Sequence, residues 1–222
     1  MPPENPMPQT VPSHAPQRVG RNKKARVKTD AASDKKIRNP FVKTLGDVPS
    51  GPIALVGLMG VGKTTVGRRL AKELGRPFYD SDDEIEKASG RTVAGYFRDH
   101  GEPAFRAGER RVIERLLNGD DIILATGGGA FIEAETREIL NAKALTVFLK
   151  GDFETIFARV RKKDTRPLLK VENPRETFLN LYEQRYPIYA KAHITVNIAK
   201  GPHSRTVSRV NKAIQNYAEP SS

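Results

Sequence analysis

The residues Gly57-Leu58-Met59-Gly60-Val61-Gly62-Lys63-Thr64 fit the pattern G-x-x-x-x-G-K-[ST], and they limit what the rest of the chain can be. An apolar run, Ile53-Ala54-Leu55-Val56, precedes them. A helical pattern follows, in which Val66, Leu70 and Leu74 recur every four residues and Gly75 supplies a stop. Strand, loop and helix in that order make a cradle for a polyphosphate. The loop must turn successive N–H groups inward, and a Cβ there would block the approach, so glycine is needed. The helix opening near Gly62 adds unpaired N–H groups and a positive dipole end. Lys63 supplies a point charge for the terminal phosphates, and the Thr64 hydroxyl suits Mg²⁺. The stretch is expected to bind a nucleoside triphosphate with magnesium. A glycine-rich turn matched by chance is the plain alternative, and both flanks argue against it.

Beyond this loop, strand and helix patterns alternate. The spacing predicts a strand over 77–80 and a helix over 103–118 with Phe105, Val112 and Leu116 along one face. A buried strand over 121–125 ends in Thr126-Gly127-Gly128-Gly129. A helix over 133–140, a strand over 145–149, a helix over 152–161 and a last strand over 194–196 before a C-terminal helix complete the series. Short apolar strands alternating with helices imply an α/β fold, a parallel sheet with helices on both faces. Ligands of such sheets sit at the carboxyl ends of the strands.

A chain of 222 residues, 37% of them hydrophobic, holds one well-buried domain. Residues 1–35 are rich in Pro, Ser, Asn and Lys with almost no large apolar side chains, so they read as a disordered basic leader. Six prolines, Pro2, Pro3, Pro6, Pro8, Pro12 and Pro16, oppose the amphipathic helix of an organellar transit peptide. The folded domain is expected over 36–222, with a short helix over 37–46 packing on it. Much of the formal net charge of +12 falls in the leader, and within the body acids and bases interleave, so basicity alone does not identify a nucleic-acid partner. The absence of cysteine excludes disulfides and thiolate metal sites, and four scattered histidines lack ligand spacing. No apolar run approaches a membrane span and no secretory h-region follows Met1, which leads to the expectation of a cytoplasmic protein.

Several polar residues fall near the expected strand ends. Asp80 and Asp82, two apart in an extended chain, would point the same way; one would support Mg²⁺ through water and the other would accept a proton from a substrate hydroxyl or orient it. A helix cap by Ser81 or Asp82 explains the same residues equally well. Arg106 follows Glu102 by four residues and precedes Glu109 by three, so both acids can orient its guanidinium, as they would in an ordinary surface ion pair. Gly127, Gly128 and Gly129 would let a ligand approach backbone N–H groups, or simply make a tight turn. Arg166-Pro167-Leu168-Leu169, after the basic Arg159, Arg161, Lys162 and Lys163, suits a mobile lid over about 160–172 or a solvated basic loop. Arg185 projects from the apolar stripe of its own helix, seven residues after Phe178, four after Leu181 and three after Tyr182. A guanidinium there must snorkel, find a carboxylate or meet an anionic ligand.

In this order, from about Ile53 to Pro202, the motifs resemble those of shikimate kinase, a small P-loop kinase of the nucleoside monophosphate kinase type. The resemblance implies a five-stranded parallel sheet in a three-layer sandwich and ATP-dependent phosphorylation of the 3-hydroxyl of shikimate. It implies that Gly60, Val61, Gly62, Lys63, Thr64 and Thr65 bind ATP, with Thr64 on Mg²⁺ and Asp80 holding the metal's water shell. Asp82 would contact the acceptor hydroxyls and is the candidate base. Arg106 and Arg185 would clamp the shikimate carboxylate, for which paired guanidinium forks suit the geometry. Gly127 and Gly128 would offer backbone contacts to the ring, and Lys63 and Arg166 would neutralise charge on the phosphoryl group in flight. Lys200 and Pro202 match where the family lines the adenine, with Arg159 or Arg161 as a stacking partner. The leader has no counterpart in that pattern.

Other readings are a kinase of another small acceptor, such as gluconate or a nucleoside monophosphate, and a non-kinase P-loop NTPase that holds nucleic acid through its basic leader. A guanine-specific switch would carry N-K-x-D, and Asn211-Lys212-Ala213-Ile214 lacks the Asp. A monomer with small-molecule partners and no specific nucleic acid is expected.

Overall fold

Each of the four residues of β1 (Ile53–Val56) is buried, the sign of a strand covered on both faces. A computed structural model of the chain describes residues 48–162, 171–198 and 201–218. In it, β1 is the centre of a five-stranded sheet of order β2-β3-β1-β4-β5, with every pairing parallel. Its neighbours are β3 (Ile123–Ala125) and β4 (Leu145–Lys150), and the edges are β2 (Phe78–Asp80) and β5 (Ile194–Asn197). In β5 burial alternates, with Thr195 and Asn197 exposed, as befits an edge. The register sets Val56 opposite Phe148 and Asp80 opposite Ala125, so the strand ends that carry the polar motifs finish at one level.

The helices are α1 (Lys63–Leu74), α2 (Ser81–Ser89), α3 (Val93–Leu117), α4 (Ala134–Lys143), α5 (Phe153–Arg161), α6 (Pro174–Tyr189) and α7 (His203–Ala218). α1 packs against α7 in one layer and α3 against α4 in another, and parallel strands require such crossover helices. α1 ends where the sequence predicts, at Gly75 in the left-handed conformation with φ 64°, its N–H returned to Ala71 O.

Two expectations change. The sequence predicts a helix over 103–118 facing inward through Phe105, Val112 and Leu116. α3 instead begins at Val93 under a Thr92 cap and bends at Gly101 (φ 76°, ψ 171°), and its buried stripe is Phe105, Glu109, Ile113 and Leu117. The apolar pattern breaks at Glu109, a carboxylate in a core position, which pulls a sequence reading onto the adjacent stripe. Also, Asp82 does not lie in extended chain: β2 ends at Asp80, and Asp82 is the second residue of α2. The leader, the helix expected over 37–46, most of the lid, Arg166 and Lys200 lie outside the described residues.

Candidate active site

The carboxyl end of β1 runs into the glycine loop, and α1 starts at Lys63. Gly60 has φ +87°, and a Cβ there would lie 2.5 Å from Val160 Cγ2 of α5, so the loop can lie this close to α5 only with glycine. Val61 is buried, while Thr65 is exposed in the first turn of α1. Lys63 is 9% exposed; its Nζ donates to Gly57 O at 2.7 Å and Leu58 O at 3.2 Å, folding the ammonium back over the loop.

Thr64 Oγ1 donates to Asp80 Oδ2 at 2.7 Å, which joins the loop to the end of β2. The other carboxylate oxygen of Asp80 accepts from Asp82 N at 3.2 Å, so the helix cap is Asp80, in place of Ser81 or Asp82. One carboxylate thus fixes both the loop hydroxyl and the start of α2. That start carries Asp82 to the end of β3, where its Oδ1 lies 2.5 Å from the Cβ that Gly127 lacks. Burial raises the pKa of Asp82 and the neighbouring Asp80 raises it further, with Lys63 opposing both.

Gly127, Gly128 and Gly129 form a turn on which Asp82, Glu109, Arg106 and Arg185 meet. The N–H of Gly127 donates to the buried Ser81 Oγ at 2.8 Å, which ties the turn to the start of α2. Glycine is required here for room: besides Asp82, Glu109 Oε1 lies 2.9 Å from the missing Cβ. A Cβ on Gly128 would sit 3.6 Å from Met59 N, which places this turn directly beside the phosphate loop.

Arg106 reaches the turn from α3, its Cζ 2.7 Å from where a Cβ of Gly129 would be. It donates to Glu109 Oε2 at 2.7 Å and to Glu102 Oε1 at 3.0 Å, and it lies over the rings of Phe105 and Phe97 at 5.3 and 5.6 Å. Burial works against its charge, but Glu109 and Glu102 outweigh it and raise its pKa. Glu109 is 1% exposed, so its pairing with Arg106 is not the surface pair that spacing alone allows. Burial raises the Glu109 pKa despite Arg106, and its Oε1 has no hydrogen-bond partner among the described residues, which leaves a buried acceptor aimed at the turn.

Arg185 arrives from the opposite direction. Its Nη1 donates to Gly128 O at 3.3 Å, and among the described residues no carboxylate lies within ion-pairing distance of it. Its helix is fixed by hydroxyls the sequence reading overlooks. Tyr189 donates to the same Gly128 O, Tyr186 donates to Gly151 O at 2.5 Å, and Tyr182 donates to Gly151 O at 3.3 Å. Burial pushes the Tyr189 hydroxyl up to about 12 although Arg185 and Arg106 both act to lower it. Tyrosines at 182, 186 and 189 recur at helical spacing, and that was the available signal.

Across the glycine loop, Pro202 precedes α7, and His203 sits at Gly62: a Cβ on Gly62 would be 3.1 Å from its Cε1. Burial lowers the His203 pKa, and the nearby Arg159 and Arg69 lower it further. Arg161 lies over Phe157 at 5.9 Å, on the side of α5 that meets α6.

A family model described as shikimate kinase matches residues 59–215. The chain belongs to the shikimate kinase family. It is 52% identical over 163 residues to the shikimate kinase of Caulobacter vibrioides, covering 73% of this chain and 82% of that one. It is 45% identical over 191 residues to that of Rhodopseudomonas palustris, covering 86% and 93%. Among solved structures it resembles the Acinetobacter baumannii shikimate kinase in complex with shikimate, with a TM-score of 0.71, 40% identity, and 75% and 93% of the two chains covered. Shikimate kinases are ATP-using phosphotransferases, and the parallel sheet with its glycine loop is their P-loop fold. The chain is such an enzyme.

Two oxygen groups of this chain, the Thr64 hydroxyl and the Asp80 carboxylate, already meet at the loop, a hard donor set suited to a small divalent cation. Among the described residues no three acidic, His or Cys side chains gather as a metal site, so phosphate oxygens and water would complete the shell.

Proposed function

We propose that the chain transfers the γ-phosphoryl group of ATP to the 3-hydroxyl of shikimate. The observation that carries this reading is the meeting of Arg106 and Arg185 on the Gly127–Gly129 turn, beside the phosphate loop. Two guanidinium groups at a turn that also holds a buried carboxylate suit an acceptor with a carboxylate at one end and hydroxyls at the other. Asp82 then faces the hydroxyl edge. Its raised pKa suits proton acceptance, and a loose phosphoryl transfer asks mainly that it orient the hydroxyl. Glu109 acts through Arg106, holding one face of the guanidinium.

On the donor side, the loop N–H groups of residues 60–65 and Lys63 cradle the phosphates, and Lys63 exchanges Gly57 O and Leu58 O for phosphate oxygens. Pro202, with Arg159 or Arg161, lines the base, and Arg166 and Lys200, outside the described residues, belong to the same set. Mg²⁺, held by Thr64 and through water by Asp80, would neutralise phosphate charge. Positioning and charge compensation then carry the rate.

The test is a coupled assay for ADP with ATP, Mg²⁺ and one acceptor at a time. Shikimate should give turnover at rates typical of kinases, about 1–100 s⁻¹, with gluconate and AMP at least about 100-fold slower. No ADP above background with shikimate, or equal rates with gluconate, overturns the reading. The same reading takes the enzyme to be a cytoplasmic monomer, for which light scattering at one chain mass is the check. Among the described residues no helix is long and apolar enough to cross a membrane.

A further inference from the structure

Between α2 and α3 lies a solvent-open cavity of about 320 Å³, lined by Ile85, Ala88 and Ser89 of α2 and by Tyr96, Phe105, Gly108, Arg111, Val112 and Arg115 of α3. This is the size of a small-ligand site. None of the residues that meet at the Gly127–Gly129 turn lines it. Its floor is aromatic, with the rings of Tyr96 and Phe105 edge-to-face at 5.9 Å. Gly108 keeps that floor open: a Cβ there would come no nearer than 3.7 Å to Tyr96 Oη, and a longer side chain would cover it. The Tyr96 hydroxyl has no hydrogen-bond partner among the described residues, so it can donate into the cavity.

The rim is cationic. Arg111 and Arg115 stand one helical turn apart on the same face of α3, where like charges repel. Arg111 is exposed and has no carboxylate partner among the described residues; Arg115 reaches only Glu84 Oε2, at 3.8 Å, with its side chain 63% exposed. An anion between them would relieve the repulsion, and a flat ring beneath it would cover the aromatic floor. We propose that the α2–α3 cavity is a second ligand site, for a small monocarboxylate carrying a flat ring, its carboxylate between Arg111 and Arg115 and its ring on Tyr96 and Phe105. A lone inorganic anion would leave the floor uncovered, and a neutral ring would leave the arginines opposed.

The experiment titrates sodium benzoate, benzamide and inorganic phosphate against the full chain and follows backbone amide signals by NMR. Benzoate should shift Ser89, Tyr96 and Gly108 saturably, and benzamide and phosphate should bind at least about tenfold more weakly. Arg111→Glu, at an exposed position with no carboxylate partner among the described residues, should keep the wild-type melting temperature and weaken benzoate about tenfold or more. Gly108→Leu, which fills the cavity and leaves both arginines in place, should abolish those shifts. The proposal fails if benzoate moves only Gly128 and Gly129, which would mark the acceptor turn, or if either variant binds benzoate as the wild type does. It fails equally if benzamide or phosphate matches benzoate.

Discussion

In the proposed reading the glycine loop is the nucleotide half of the site and the Gly127–Gly129 turn the acceptor half; they lie within a few ångströms of each other, yet they are made of different material. The nucleotide half is a contiguous run of backbone, shaped by glycines and closed by Lys63 and Thr64 from the next helix turn. The acceptor half is assembled from side chains that start far apart: Asp82 on α2, Arg106 and Glu109 on α3, Arg185 on α6. A contiguous site survives most distant substitutions because its geometry is local. A convergent one depends on every helix that carries a piece of it, so the two halves should respond differently to mutation.

The sharpest break is at Lys63, whose loss should impair catalysis with every acceptor. Lys63→Ala is expected to lower kcat by about 10³-fold, read as ADP release at saturating shikimate. Next is Arg185→Ala, which should lower kcat/KM for shikimate by about 10²-fold and change the KM for ATP less than about threefold. Equal losses for both substrates would erase the division between the halves. Arg185→Lys should recover only part of the loss, because a point charge cannot reproduce a fork.

A smaller effect separates orientation from charge. Glu109→Gln should raise the KM for shikimate about tenfold by loosening Arg106, with kcat largely kept. Stability should move the other way. Burial raises the Glu109 pKa above its ordinary 4.5, so the folded state holds that proton more tightly than the unfolded chain does. Stability present below that ordinary value is lost as pH climbs through the raised one, and Glu109→Gln should flatten this fall in a series of melting temperatures.

The smallest expected effect lies away from both halves. His193 Nδ1 accepts from Thr146 N at 3.1 Å beside the β4–β5 pair, and burial lowers its pKa below 6.5. The unfolded chain therefore takes up the proton first, and stability falls as pH drops below that value. His193→Asn should remove part of this acid sensitivity, a difference on the order of 2 °C in melting temperature between pH 7 and pH 5.5.

The same contrast governs what could be read from the sequence. The order of elements was legible because β1, β3 and β4 are apolar on both faces and α1 carries its own stop at Gly75. α2 and the front of α3 were harder to read, since Gly90, Gly101 and Pro103 punctuate them and tertiary packing overrides those breakers. Arg106, Asp82 and Arg185 could be singled out as polar residues in telling positions. That Arg106 and Arg185 work as one clamp followed from the family resemblance alone; spacing could not give it, because it depends on how far α6 lies from β3 in space. The buried state of Glu109 also escaped, because a charge inside an apolar stripe looks like the edge of the stripe. What exposes it is the four-residue recurrence of Phe105, Glu109, Ile113 and Leu117.

The tyrosines of α6 act as a ruler. Tyr182 and Tyr186 mark the end of β4 and Tyr189 marks the end of β3, so the count of residues between those marks decides which way position 185 looks. One residue inserted between Tyr182 and Arg185 would rotate the guanidinium by about 100° and advance it by about 1.5 Å. Spacing along this helix is therefore under tighter constraint than the identity of most residues on its outer face.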